Sequence, residues 1–404
     1  MRVLLTTFGS RGDVQPLLAL AVALQSLGVE ARVCAPVDEE FPQLFATYGV
    51  PLFPAFSTMR QFLADALPKH KTLDLPKSAA EAMAAQYEAI SVAAQGCDVL
   101  VATGIFSSTA AARSVAEKLG LRYVFAAYCP RFLPSPYNRP AEYAGHPHPP
   151  GLTDNQALWD FDVQVKNVLY GEGFNSHRAS IGLPKVDNVR DHVFTNQPWL
   201  AADPVLAPWR QPAKIDVVQT GAWVLIDERP LEPDLLAFLD SGEPPVYVGL
   251  GSLPVAPNDF ARTAIDVVRA QGRRVLMLRG WAELAAVDER DDCFIVGEVN
   301  LRALFPRVAA VIHHGGAGTT TTATRAGAPQ LVLPGFMDQP YWASRVRDLG
   351  IGSAYEGSTP TAESLSTAME FALRPATRAR ALAVADTIRD DGAIRAAKLL
   401  LEAA

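Results

Sequence analysis

A chain of 404 residues is longer than one compact core usually grows, so two domains are expected. Hydrophobic residues make up 49% and charged residues 20%, the balance of a soluble globular protein, and a net charge of −7 with both signs interspersed excludes the basic footprint of a nucleic-acid binder. No apolar run reaches the length of a membrane span, the opening residues are too few for a signal sequence before Gly9, and four cysteines without paired spacing read as reduced thiols in a cytoplasmic protein.

Residues 2–8 read as a buried strand. A helix opened by Pro16 and stopped at Gly28 follows, and residues 31–35 form the next strand. This β-α-β unit places the loop 9–15, with Gly9-Ser10-Arg11-Gly12-Asp13, at the carboxyl end of the first strand, where open parallel sheets hold ligands. The alternation continues through a strand at 51–53, a helix within 78–95, a strand at 98–102, a helix around 108–119 and a strand at 123–126, the rhythm of a doubly wound parallel domain. Two stretches break it. Residues 54–77 lack a period, and residues 129–152 are rich in proline; Phe56, Met59, Phe62, Phe132 and Tyr137 within them predict walls of an apolar acceptor pocket. His146 and His148 have no third ligand nearby and predict no metal site. Asp160-Phe161-Asp162 has a spacing that holds a divalent metal in some sugar transferases, but it lies in an amphipathic helical segment and predicts a solvated helix face.

Prolines gather again over 198–214, where a domain linker is expected. A second alternating set begins with strands at 215–219 and 245–250, the latter running into Gly251-Ser252. A helix at 259–271, strands at 274–278 and 293–296, and a strand at 330–333 follow, with Asp338-Gln339-Pro340 opening a helix to about 348. The last thirty residues read as helices. The expected domains are 1–207 and 208–385, with 386–404 a C-terminal helix packing back on the first; two successive β/α/β domains imply a cleft between them.

The strongest chemical signal is the stretch 308–322. An apolar strand feeds His313-His314-Gly315-Gly316-Ala317-Gly318-Thr319 and then a short helix. Glycines allow close approach of backbone N–H groups, and a helix N-terminus carries partial positive charge, so the turn suits a phosphate or pyrophosphate. No Lys follows the last Gly, as a Walker loop requires, and the glycine spacing is not that of the dinucleotide fingerprint.

Taken together, the segment from Gly9 to Pro16, the segment from His313 to Thr319 and Asp338-Gln339-Pro340 resemble the inverting glycosyltransferases of the GT-B fold over essentially the whole chain. The resemblance is greatest to bacterial enzymes that decorate vancomycin-group glycopeptides and other secondary metabolites, with sterol glucosyltransferases as relatives. It implies an α/β fold of two Rossmann-like domains facing across a cleft. It also implies a cytoplasmic, metal-independent hexosyltransferase of antibiotic biosynthesis, moving a sugar with inversion from a UDP- or dTDP-sugar to a hydroxyl of a hydrophobic aglycone. The nucleotide sugar is then a co-substrate and no cofactor is expected. Neither nucleic acid nor stable membrane insertion is expected, and the chain should be a monomer or weak dimer.

Carried over by position, the resemblance implies that His314, Gly315, Gly316, Gly318 and Thr319 hold the donor diphosphate. Ser10, Arg11, Gly12 and Ser252 would add contacts from neighbouring turns, the backbone near Val299 would meet the nucleobase, and Asp338 and Gln339 would bond the sugar hydroxyls. Asp13 is the candidate general base, since it sits at the ligand-binding edge of the first sheet and is expected to face, across the cleft, the loop that would hold the donor. Many relatives carry a His at the equivalent position, and as the loop 9–15 has none, Asp13 would act directly. Plant relatives hold the ribose with a Glu where this chain has Thr322, which can make only a shorter, neutral contact. Other readings stay open: Asp13 or Asp338 as mere helix caps, a sterol- or polyketide-directed glucosyltransferase, or a non-catalytic sugar-nucleotide-binding partner protein.

Overall fold

Strand β1 (Arg2–Phe8) is buried along six of its seven residues, as a parallel strand must be when neighbours pair with both edges and helices cover both faces. Its side chains alternate: Val3 and Leu5 join the core with helix Arg11–Ser26, while Leu4 faces helices Leu75–Ala93 and Phe106–Leu119. The computed structural model describes residues 1–66, 74–143, 145–253, 259–355 and 360–402. With β2 (Glu30–Ala35), β3 (Leu52–Pro54), β4 (Val99–Gly104), β5 (Arg122–Ala127), β6 (Trp199–Leu200) and β7 (Val218–Gln219), β1 forms a seven-stranded parallel sheet in the order β3-β2-β1-β4-β5-β6-β7.

A second parallel sheet has six strands: β8 (Val246–Gly249), β9 (Val275–Leu278), β10 (Cys293–Val296), β11 (Ala310–His313), β12 (Gln330–Val332) and β13 (Gly352–Ala354), in the order β10-β9-β8-β11-β12-β13. It too has a core on each face, one around Ile265 and Met277 and the other around Tyr247, Phe305 and Val311. Strand order reverses once in each sheet, between β1 and β4 and between β8 and β11. Crevices at such reversals are where parallel α/β sheets take ligands.

The chain divides into two units, one of 1–204, 208–225 and 390–404, the other of 205–207 and 226–389. The helix Gly392–Glu402 packs on helix Arg11–Ser26 within the first unit, burying Ala393, Ala396, Ala397 and Leu400, and the Leu400 carbonyl accepts from the Arg122 guanidinium at 3.0 Å. Among the described residues no helix is long and apolar enough to cross a membrane.

Four expectations are corrected. The first helix starts at Arg11 and carries Pro16 inside it, so the residues expected as a loop up to 15 are largely helical. The start is set by Asp13, whose Oδ2 accepts the Ser10 N–H at 3.0 Å, half of a capping box that overrides the proline signal. Within 54–77, expected to be irregular, Met59–Ala66 is a helix; 67–73 lie outside the described residues. The strand expected at 215–219 to open the second domain instead closes the first sheet as β7, paired with β6, so 208–225 belong to the first unit. Two-residue strands such as β6 are too short to show a period.

The fourth correction concerns Asp162. It is not solvated: it lies buried on helix Asn155–Ser180, accepting from Lys166 Nζ at 2.8 and 2.9 Å and from Arg190 at 3.3 Å. The Lys166 ammonium sits 4.9 Å from the centroid of the Tyr143 ring, which ties the proline-rich segment to this helix, and burial holds its pKa down. Asp162→Ala would leave the buried Lys166 ammonium without its carboxylate, while Arg190 keeps Asp191 at 2.8 Å and the Trp159 carbonyl. A destabilisation of about 3–5 kcal/mol is expected, read as a lower urea midpoint for the first unit.

Candidate active site

At the reversal in the first sheet, β1 ends in Phe8, Gly9 and Ser10 and passes at once into helix Arg11–Ser26. The Asp13 side chain folds back over Gly9 so closely that a Cβ at residue 9 would lie 2.1 Å from Oδ2; only glycine fits. The Asp13 carbonyl accepts the Tyr128 hydroxyl at 3.1 Å, and burial, then the charge of Asp13, raise that phenol well above its ordinary pKa. Ser10, Arg11, Gly12 and Asp13 are thus brought together in one helical turn, with Arg11 Nε donating to Gln15 at 3.2 Å.

Two of the aromatic residues named from the sequence meet Phe8 at this strand end. Phe56, 46% exposed, lies 6.0 Å from the Phe8 ring, and Phe62 meets Phe8 edge-on at 5.2 Å. Met59 opens the helix beside them. Its N–H and that of Arg60 are both held by the buried carboxylate of Asp38, at 2.8 and 3.0 Å. Asp38 belongs to no motif of the sequence, although an acid just past a parallel strand and before a helix is a capping signal. Phe132 lies in the short 3₁₀ turn Pro130–Phe132 after β5, and Tyr137 is partly exposed with its hydroxyl on the Gln211 carbonyl at 2.7 Å. Of the paired histidines, His148 Nδ1 takes the Arg139 guanidinium at 2.7 Å; this contact and the lowered pKa, from burial first and Arg139 second, make the ring neutral in spite of Glu142 at 3.2 Å.

At the reversal in the second sheet β11 ends in His313 and the turn after it begins with His314, and the two rings have different surroundings. His313 is fully buried; its Nδ1 accepts the Gly315 N–H at 3.1 Å and its Nε2 faces Gln330 Oε1 at 2.9 Å. His314 is half-buried, and its ring is closed in by glycines: a Cβ at Gly251 would stand 2.7 Å from Cε1, and one at Gly316 would stand 2.5 Å from Nε2. Its Nδ1 is shielded from solvent and has no hydrogen-bond partner among the described residues. A shielded polar atom with no partner is costly unless a ligand meets it.

The helix Ala317–Arg325 starts beside that ring. Gly316 is its N-cap and offers no side chain to its first N–H groups. Thr320, Thr321, Thr322 and Thr324 turn their hydroxyls back to carbonyls four residues earlier, at 2.8–2.9 Å, leaving Thr319 as the threonine at the helix mouth. Thr322 gives its hydroxyl proton to the Gly318 carbonyl, which limits it further as a ribose contact.

Ser252, Gly251, His314, Gly315, Gly316, Gly318 and Thr319 therefore share one corner. Gln339 joins it: a Cβ at Gly315 would lie 3.2 Å from the Gln339 carbonyl. The Gln339 side chain is buried and holds the Gly335 and Phe336 N–H groups at 2.7 and 3.3 Å, so its carboxamide oxygen is committed and its NH₂ remains as donor. Asp338 precedes helix Gln339–Asp348 without capping it through its side chain; the carboxylate instead takes the Trp342 indole N–H at 2.7 Å. Val299 stands off beyond β10. Asn300, buried, fixes its loop by donating to the carbonyls of Asp227 and Arg229 at 2.9 and 2.8 Å.

Burial pulls His314 down to about 4 and His313 to about 3, from an ordinary 6.5, so both rings are neutral at pH 7. Between pH 6.5 and 3 the unfolded state binds the proton that folded His313 refuses, so stability falls as pH falls. The full difference is on the order of 5 kcal/mol for His313. The urea midpoint of the second unit is expected to drop steeply from pH 7 to 4, and more shallowly in His313→Asn.

Comparison with known proteins agrees with this architecture. The model of the glycosyltransferase family 28 N-terminal domain matches residues 3–137, and that of the erythromycin biosynthesis protein CIII-like C-terminal domain matches 282–395. The vancomycin aglycone glucosyltransferase of Amycolatopsis orientalis is 52% identical over 403 residues, covering 100% of this chain and 98% of that protein. The dTDP-epi-vancosaminyltransferase of the same organism is 48% identical over 412 residues, with the same coverage. The solved structure of the glycotransferase of kitacinnamycin superposes with a TM-score of 0.74 at 19% identity, covering 99% of this chain and 98% of that one, which is a likeness of fold. The chain belongs to the GT-B glycosyltransferases of this vancomycin group and is a nucleotide-sugar-dependent enzyme.

Proposed function

We propose that the enzyme transfers a hexosyl group from a UDP- or dTDP-sugar to a hydroxyl of a hydrophobic natural-product aglycone of the glycopeptide-antibiotic kind. The observation that carries the donor side is the corner at His314: a shielded ring nitrogen with no partner among the described residues, beside a helix start whose N–H groups no side chain caps. Such a corner matches a diphosphate, which brings negative charge and many acceptor oxygens. The names of the two vancomycin-group relatives support the acceptor class, and Phe56 over Phe8 supports an apolar acceptor wall.

In this reading the acceptor oxygen attacks the anomeric carbon while the bond from that carbon to the diphosphate oxygen breaks, in one displacement with inversion. The acceptor proton goes to the Asp13 carboxylate. Charge growing on the diphosphate is met by the N–H groups opening helix Ala317–Arg325 and by the neutral His314 ring, which would serve in place of a metal ion. The Asp338 carboxylate and the Gln339 NH₂ would meet the sugar hydroxyls, and the loop at Val299 the base. We further read the enzyme as a cytoplasmic monomer or weak dimer; its four free thiols support a reducing compartment.

The test is a thermal-shift screen of UDP- and dTDP-sugars, followed by mass spectrometry of donor hits against a panel of aglycones. A rise in melting temperature and an acceptor heavier by one sugar residue are expected, with inverted anomeric configuration by NMR. Donor binding with no product on any aglycone would favour a non-catalytic binding protein, and no donor binding at all would overturn the reading.

A further inference from the structure

We propose that His313, which no role in the transfer reaction assigns, is a positioning residue for the donor: its Nδ1 lone pair orients the Gly315 peptide and so sets the turn that presents His314 and the helix start. The proposal rests on the reading of residues 314–319 as the diphosphate corner.

Proton bookkeeping fixes the arrangement. The Gly315 N–H can only donate, so Nδ1 of His313 accepts and the ring proton sits on Nε2. Nε2–H then donates to Gln330 Oε1, which leaves the Gln330 NH₂ to donate to Thr324 Oγ1 at 2.9 Å. The Thr324 hydroxyl passes its own proton to the Thr320 carbonyl at 2.8 Å. Each of these groups is hydrogen-bonded to the next, and His313, Gln330, Thr324 and Thr320 are all essentially without solvent exposure.

The chain of bonds runs from the turn, through β11 and β12, to Thr324 in the last turn of helix Ala317–Arg325 and back to the Thr320 carbonyl one turn nearer its start, so it ties together the three elements that make the corner. Gly315 needs such a brace. Its φ is +87°, and a side chain there would strike Val332 at 2.7 Å, so ordinary backbone preference does not set this peptide. A proton on Nδ1 would set N–H against N–H and release the turn; His314 is the titratable neighbour acting on His313.

The experiment is calorimetric titration of the full chain with UDP and with dTDP, with circular dichroism to check folding. His313→Leu is expected to bind the tighter nucleotide roughly tenfold more weakly, with the KM for acceptor unchanged. His313→Asn should recover most of that loss, because its carboxamide oxygen can accept from Gly315. Q330E gives the readout that a space-filling role would not: the introduced carboxylate favours the charged imidazole. Nucleotide affinity should therefore fall with pH between about 8 and 6 in Q330E while staying flat in the parent. Affinity within about twofold of the parent in a folded His313→Leu would overturn the proposal, as would a flat profile in folded Q330E. If the parent chain binds neither nucleotide, the donor reading itself is what fails, and the proposal goes with it.

Discussion

Asp13→Asn is expected to lower kcat by roughly 10² to 10⁴ while leaving nucleotide affinity and melting temperature near those of the parent. The substitution separates two roles that the structure overlays in one carboxylate. Asp13 Oδ2 accepts the Ser10 N–H, and the carboxamide oxygen of an asparagine can do the same over the unobstructed Gly9, so the helix start survives. What the amide cannot do is take a proton from an acceptor hydroxyl. Steady-state kinetics at saturating donor and acceptor, alongside a thermal melt, read the two separately. Equal turnover in a folded variant would leave Asp13 as a cap and remove it as the base. Asp13→Ala should lose turnover as well, but with about 1 kcal/mol of stability gone with the cap.

His314→Ala is expected to cut turnover about a hundredfold, the loss of one preorganised donor worth roughly 3 kcal/mol in the transition state. The ring is not a packing residue in the ordinary sense. It is walled by Gly251 and Gly316, and its Nδ1 is shielded without a partner among the described residues, so removing it should not lower the melting temperature and should soften the loss of stability in acid. Donor titration of the same variant tells ground-state binding from transition-state binding: an unchanged KM with a fallen kcat assigns His314 to the leaving group. Near-normal turnover would sink that assignment.

Much of the fold is legible in the sequence. Buried parallel strands such as β1, β8 and β11 announce themselves as short apolar runs ending in small-residue turns, and both reversal points fall at such turns. What escapes is short or locally contradictory. Strands β6 and β7 have two residues each and no period to detect, so pattern alone assigns 215–219 to the wrong sheet. At the first helix two start signals compete, Pro16 and the Ser10 and Asp13 pair, and the hydrogen bonds of the box decide. In the candidate site the residues that point at ligand can be named from their motif, whereas those that hold them in place cannot. Tyr128, Gln330 and Asn300 act through partners far away in sequence or through buried networks, and no motif marks them; Asp38 shows at most as a cap, and His313 shows in its motif without its partner Gln330. Asp162 shows the converse: a charged residue on a helix reads as solvated until its cations, four and 28 residues away, are seen around it.

The helix Gly392–Glu402 has a consequence for synthesis. It lies against helix Arg11–Ser26, and its first residue is so close to Gly221 and Ala222 that a Cβ there would stand 2.3 Å from the Ala222 carbonyl. The N-terminal sheet therefore cannot finish its core when its own strands have left the ribosome. It must wait for nearly two hundred further residues, roughly 10–35 s at 5–20 residues per second. Through that interval the Ala- and Leu-rich face that will receive Ala393, Ala396 and Leu400 is open to chaperones and to other nascent chains. A stop codon ahead of residue 390 should accordingly send the first unit, rather than the second, into aggregates.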